Sequence, residues 1–149
     1  MKIAVLADTH DRLPAAVIDQ IRAADVDEIW HLGDVTRPSV LDDLLTVSAS
    51  LRVVRGNCDH AHDWPLTIDR TISGICFRLQ HIPPAARQCP ADIDILLHGH
   101  THVPRDETVS GIRFLNPGAI GKSNRGAPPS FAFLTVSDGR VGWEVRQVF

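Results

Sequence analysis

The chain has 149 residues, 44% hydrophobic and 22% charged, with a formal net charge of -3. That length and balance suit one globular domain with a full core, expected over residues 1–149. The mild acidity and the lack of a basic run exclude a general binder of long nucleic acid or of a membrane surface, while a small anion can still bind at a local positive spot such as a metal.

KIAVLA (residues 2–7) is a short apolar, β-branched run that predicts a buried first strand. LPAAVIDQIRAAD follows, with Pro14 near a helix start and Val17, Ile18 and Ile21 on one face. EIWHLGD predicts a second strand, RPSVLDDLLTV a second helix with Leu41, Leu44 and Leu45 inward, and LRVVRGN a third strand. This β-α-β-α-β order signals a parallel sheet with helical crossovers. LTIDRTISGICFRLQ then reads as a hairpin turning at Ser73-Gly74, PPAARQCPADID as an irregular or short helical crossing, and ILLHG as another buried strand. Two further hairpins turn at Ser110-Gly111 and Asp138-Gly139. Between them, NPGAIGKSNRGAPPS is expected to be a long surface loop. The expected fold is α/β, a four-layer αββα sandwich of two mixed sheets flanked by helices.

The three cysteines, Cys58, Cys76 and Cys89, have no CxxC or disulfide-like spacing. Reduced thiols and a cytoplasmic location are expected. The apolar run at the N-terminus is too short for a signal peptide, and no segment approaches the roughly 18 apolar residues of a membrane span.

Polar residues gather at strand ends. LLHGHTHVP places His98, His100 and His102 within five positions of a chain that has 8 histidines in all. The first strand runs into Asp8-Thr9-His10, the second into Gly33-Asp34, the third into Gly56-Asn57, and the first hairpin into His81. In open α/β sheets the binding crevice forms at the carboxyl ends of the strands. Two carboxylates, four imidazoles and one carboxamide suit borderline divalent metals. They are too many for one ion with an open position and fit two ions sharing a carboxylate. Such a centre attracts phosphate and acidifies a bridging water to hydroxide.

The motifs DTH, GD, GNCD, GHTH and NPGAIG, in this order and spacing, resemble the calcineurin-like metallophosphoesterases, and the whole chain resembles their small bacterial and archaeal phosphodiesterase branch. That branch is related to the metallophosphoesterase-like subunit of retromer. The resemblance implies that Asp8, His10, Asp34 and His102 hold one metal. Asp34 then bridges to a second held by Asn57, His81 and His100. Manganese is the expected ion, with nickel, iron and zinc as substitutes. Asp34, Asn57, Cys58 and Asp59 are the candidate catalytic residues, and a small phosphate ester is the expected substrate. Two departures stand out. Cys58 replaces the histidine that the family commonly uses as general acid, and His81 is followed by Ile82-Pro83-Pro84 where the family usually has glycine.

Other residues have plainer readings. Asp59 is expected to orient a ligand histidine through a carboxylate–imidazole bond. His31 and His98 read as core or supporting residues, and His60, His62 and Arg125 as solvated. Asn116 and Gly118 form either the site wall or an ordinary turn. The rival to an enzyme is a protein-interaction scaffold on the same fold. A metallo-β-lactamase-type site fails on spacing, because HGHTHVP continues into Val103-Pro104 rather than Asp-His.

Overall fold

A computed structural model describes residues 1–48, 50–121 and 126–149. Ten strands form two mixed five-stranded sheets. The first contains β1 (Lys2–Leu6), β2 (Glu28–His31), β3 (Leu51–Val53), β9 (Ser130–Ser137) and β10 (Arg140–Gln147), in the order β10-β9-β1-β2-β3. The second contains β4 (Thr67–Ile72), β5 (Ile75–Gln80), β6 (Ile95–Leu97), β7 (Arg105–Val109) and β8 (Ile112–Asn116), in the order β4-β5-β6-β8-β7.

Side-chain alternation explains the layering. Along β1, Ile3 and Val5 face the other sheet, while Ala4 and Leu6 face the helices. Burial on both sides makes β1 a continuous apolar run. Trp30 of β2 packs edge-on against Phe77 of β5 in the inter-sheet core, with ring centroids 5.9 Å apart. Helices α1 (Ala15–Ala24) and α2 (Ser39–Leu45) cover the outer face of the first sheet through Val17, Ile21, Val40 and Leu44. The outer face of the second sheet carries a thinner cover, in which the 3-10 turn Ala86–Gln88 brings Ala86 against Leu96, Ile112 and Phe114.

Register decides where the polar residues meet. Leu6 lies level with His31, and His31 with Val53, so the parallel strands β1, β2 and β3 end on one line. Leu79, Leu97 and Leu115 are level in the same way at the ends of β5, β6 and β8. The strands stop earlier than the sequence suggests: β2 ends at His31 and β3 at Val53, which leaves Asp34 and Asn57 on loops.

The expected surface loop after β8 is a correction. Asn116, Ala119 and Ile120 are all at most 2% exposed. The chain passes under the first site loop, where the amides of Ile120 and Gly121 donate to the carbonyls of Ala7 and Asp8. Backbone pairing of this kind lets an irregular segment be buried without orphaned amides. Arg125 falls outside the described residues.

Candidate metal centre

The loops that follow β1, β2 and β6 turn sharply. Asp8, His10, Asp34, His100 and His102 all have positive φ, between 44° and 70°. That region is sparsely populated for residues other than glycine, and such residues cluster at functional sites. Cross-loop bonds hold the turns together. The amide of Asp8 donates to the Gly33 carbonyl, that of His10 to the Asp34 carbonyl, and that of His100 to Asp8 Oδ2 at 3.0 Å. The last bond joins the two sheets. A Cβ on Gly99 would come within 2.8 Å of Asp8 Oδ2, so this close approach requires glycine.

These turns bring the candidate ligands together. Asp8 Oδ1 lies 3.2 Å from His102 Nε2 and 3.8 Å from both His10 Nε2 and His81 Nε2. Asp34 Oδ2 lies 3.3 Å from His81 Nε2 and 3.6 Å from His10 Nε2. His100 Nδ1 and Asn57 Oδ1 are 3.0 Å apart. Ligand atoms bonded to one ion at about 2.0–2.2 Å are about 2.8–3.6 Å apart in tetrahedral or octahedral arrangement. The spacings of 3.0–3.6 Å fall in that range, and the two of 3.8 Å lie just above it. Three overlapping groups have donor atoms mutually within 4.8 Å: Asp8, His10 and His102; Asp8, Asp34 and His81; and His10, Asp34 and Cys58.

Unsatisfied atoms distinguish the candidate ligands His10 and His81 from His31 and His98. Among the described residues, Asp8 Oδ1, His10 Nε2 and His81 Nε2 are buried without a hydrogen-bond partner. Such atoms are rare in folded proteins, and here both imidazole nitrogens lie 3.8 Å from Asp8 Oδ1, an arrangement that suits bound cations. His81 Nδ1–H donates to the Leu32 carbonyl at 2.7 Å, which leaves the Nε2 lone pair facing the two carboxylates. By contrast, His31 is satisfied at both nitrogens. Its Nδ1 accepts from the Gly33 amide and its Nε2 bonds Thr9 Oγ1. His98 is likewise engaged at both, with the Gly99 carbonyl and with Arg105.

The electrostatics agree. Burial pushes the Asp8 carboxyl up to about 7, with His81 opposing and Asp34 reinforcing the shift. For Asp34, burial also acts upward, but the His81 imidazole beside it and the hydrogen bond from the Cys58 amide outweigh it and hold the carboxyl well below the usual range. Burial pulls the His81 imidazole down, yet Asp34 and Asp8 together leave it raised. A centre that strains its own charges in this way is relieved by a dication.

Asp59 is a correction. It is 1% exposed, and its carboxylate accepts from the backbone amides of Asp34 (2.9 Å), Gly56 (2.8 Å) and Thr36 (2.8 Å). Its hydrogen bonds therefore go to the loop backbone and not to an imidazole, because the loops carrying Asp34 and Asn57 expose unpaired amides towards it. Cys58 is exposed, and its amide donates to Asp34 Oδ1 at 2.8 Å. Partial burial and then Asp34 push its thiol up, so it keeps its proton near neutral pH. Asn116 braces the His100 loop by donating to the Gly99 carbonyl and to Thr101 Oγ1. His60 is exposed as expected, whereas His62 is half-buried and stacks on Trp64 with centroids 4.4 Å apart.

Sequence reasoning passed over Thr9, which is fully buried and links His31 to the Val35 carbonyl, and Arg55, which lines a cavity beside Asn57 and His81. Position directly before GNCD was the only signal for Arg55, and a solvated arginine gives the same one.

Comparison with known proteins follows this geometry. A model of the calcineurin-like phosphoesterase superfamily domain matches residues 1–139. A probable metallophosphoesterase of Methanothermobacter thermautotrophicus is 34% identical over 135 residues, covering 80% of this chain and 77% of that protein. The phosphodiesterase YfcE of Escherichia coli K12 is 26% identical, covering 90% and 87%. Among solved structures, wild-type Vps29 of Entamoeba histolytica complexed with zinc superposes with a TM-score of 0.80 at 25% identity, covering 100% of both chains. With a superposable fold and a family match over nearly its whole length, this chain belongs to the calcineurin-like phosphoesterase superfamily.

Proposed function

We propose that the protein is a dinuclear metal-dependent phosphodiesterase acting on small phosphate esters. The carrying observation is that two orphaned, buried imidazole nitrogens, His10 Nε2 and His81 Nε2, flank the equally orphaned Asp8 Oδ1 at the shared carboxyl edge of two sheets. Asp8, His10, Asp34 and His102 would hold one ion, and Asp34, Asn57, His81 and His100 the other, with manganese as the preferred metal. Two such ions supply positive charge for the phosphate and lower the pKa of the attacking water.

The chain's own residues do the positioning. Leu32 fixes the His81 tautomer, and Asp59 clamps the loops of Asp34 and Asn57. Asn57 and Cys58 sit on the exposed side of the centre. The preference for diesters draws on the phosphodiesterase name of the YfcE relative. Likeness to Vps29 favours a second reading, a scaffold without turnover. That neighbour also holds zinc, so a preserved donor set fits either reading, and the phosphodiesterase-named relative favours the enzyme.

The test is a screen of manganese-loaded protein against phosphomonoesters and phosphodiesters. Metal-dependent diester hydrolysis is expected. No turnover of any ester by fully loaded protein would favour the scaffold.

A further inference from the structure

Beside the metal centre lies a cavity of about 660 Å³, in the size range of small-molecule sites. Asn57 and His81, two of the candidate ligands, are among its lining residues, so it borders the metal centre. Leu66 and Ile82 flank it and are 60% and 51% exposed, two of the few large hydrophobic side chains left in solvent among the described residues. Ile82 is held in place by Gln80, whose side-chain amide donates to the Ile82 carbonyl at 2.7 Å. Exposed apolar side chains beside a polar site mark a surface that meets a ligand.

Arg55 supplies the charge. It is half-buried, and its amide is tied to the Pro65 carbonyl at 2.8 Å. Every other half-buried arginine among the described residues (Arg52, Arg70, Arg78, Arg105 and Arg113) is in an ion pair. Among the described residues the Arg55 guanidinium has no ion pair and no hydrogen bond. A half-buried arginine left without a carboxylate beside the centre is free to take an anion that arrives with the ligand.

We propose that this cavity receives the ester arm of the substrate, and that this arm is an apolar ring or chain carrying a second anionic group, a carboxylate or phosphate, which Arg55 binds. The proposal deepens the phosphoesterase reading of the metal centre and rests on it. Leu66 and Ile82 pack on the apolar part, the centre takes the reacting phosphate, and Arg55 reads the second charge.

Titration calorimetry of manganese-loaded protein with non-hydrolysable phosphonates tests this. The ligands are methylphosphonate, phenylphosphonate, its para-carboxy derivative and para-phenylenediphosphonate. The two ligands with a charged para group should bind about tenfold tighter than phenylphosphonate. Arg55→Met should collapse that ratio to near one, while Arg55→Lys keeps part of it. Leu66→Ser with Ile82→Ser should shrink the preference for phenyl- over methylphosphonate. The tighter of the two charged ligands identifies the anion that the natural arm carries. Equal affinity for phenylphosphonate and its charged derivatives in the wild type would overturn the proposal and leave the metal centre standing. A preference that survives Arg55→Met would do the same. Failure of loaded wild type to bind any phosphonate would overturn the phosphoesterase reading itself.

Discussion

Replacing Asp59 with asparagine changes one oxygen into an amide and nothing else in shape. In the wild type, Oδ2 accepts from the amides of Asp34 and Gly56, and Oδ1 from that of Thr36. The best rotamer keeps the carbonyl oxygen on the first two and turns the NH2 group against Thr36. Two charge-assisted bonds become neutral, at a cost of roughly 1 kcal/mol each, and one amide loses its acceptor, at about 1–3 kcal/mol. Removing a negative charge that raises Asp8 returns on the order of 1 kcal/mol in metal-free protein. The net loss is about 2–4 kcal/mol. At a urea slope of about 2 kcal/mol/M this lowers the midpoint by roughly 1–2 M. Because the loosened loops carry Asp34 and Asn57, metal affinity should also fall about 10–100-fold, as it does when residues supporting metal ligands are changed. Urea unfolding in chelator and metal titration of Asp59→Asn measure both effects. A midpoint within about 0.3 M of wild type, together with unchanged metal affinity, would refute the clamp.

Glu28 is 7% exposed and accepts from Trp30 Nε1, Arg52 and Arg70, the last reaching across from β4 of the other sheet. Glu28→Ala should cost about 1–3 kcal/mol in urea unfolding, since it strands a buried indole N–H while the arginines regain water. Burial pushes His31 down to about 4 from 6.5, so the fold favours its neutral form. Its stabilisation is complete above pH 6.5 and is lost as pH falls towards 4. The amount is on the order of 3 kcal/mol, and His31→Gln should flatten the acid limb of stability against pH. Cys58→Ser should leave metal content unchanged, even though the thiol lies near His10 and Asp34; loss of an ion would make Cys58 a ligand. With cysteine in place of the usual general acid, aryl diesters should turn over faster than alkyl diesters, and Cys58→His should flatten that dependence by part of the ~10²–10⁴-fold typical of acid catalysis.

The site was legible because its residue types are few and chemically narrow. An aspartate, a histidine or an asparagine at the end of an apolar run is visible without coordinates, and the parallel order of β1, β2 and β3 follows from the alternation of strand and helix. Asp59 shows the limit. Sequence places a carboxylate beside the ligands, but whether it meets an imidazole or three amides depends on how loops from separate strands fold over each other. The segment after β8 shows another limit. Its glycine, proline and serine content looks like surface loop, yet Ala119 and Ile120 are buried because the Asp8 loop supplies carbonyl partners. Arg55 was invisible for a third reason, since only the ion pairs of the other arginines make its solitude informative.

Metal content per chain tests the central claim most directly, measured by elemental analysis of manganese-reconstituted wild type and Asp34→Asn after removal of free metal. Asp34 Oδ2 lies within 3.6 Å of nitrogens from His10 and His81, which are assigned to different ions. The account predicts two ions in the wild type and loss from both sites in the variant, leaving fewer than one ion per chain. Two ions retained in Asp34→Asn, or a wild type that never exceeds one, would contradict it.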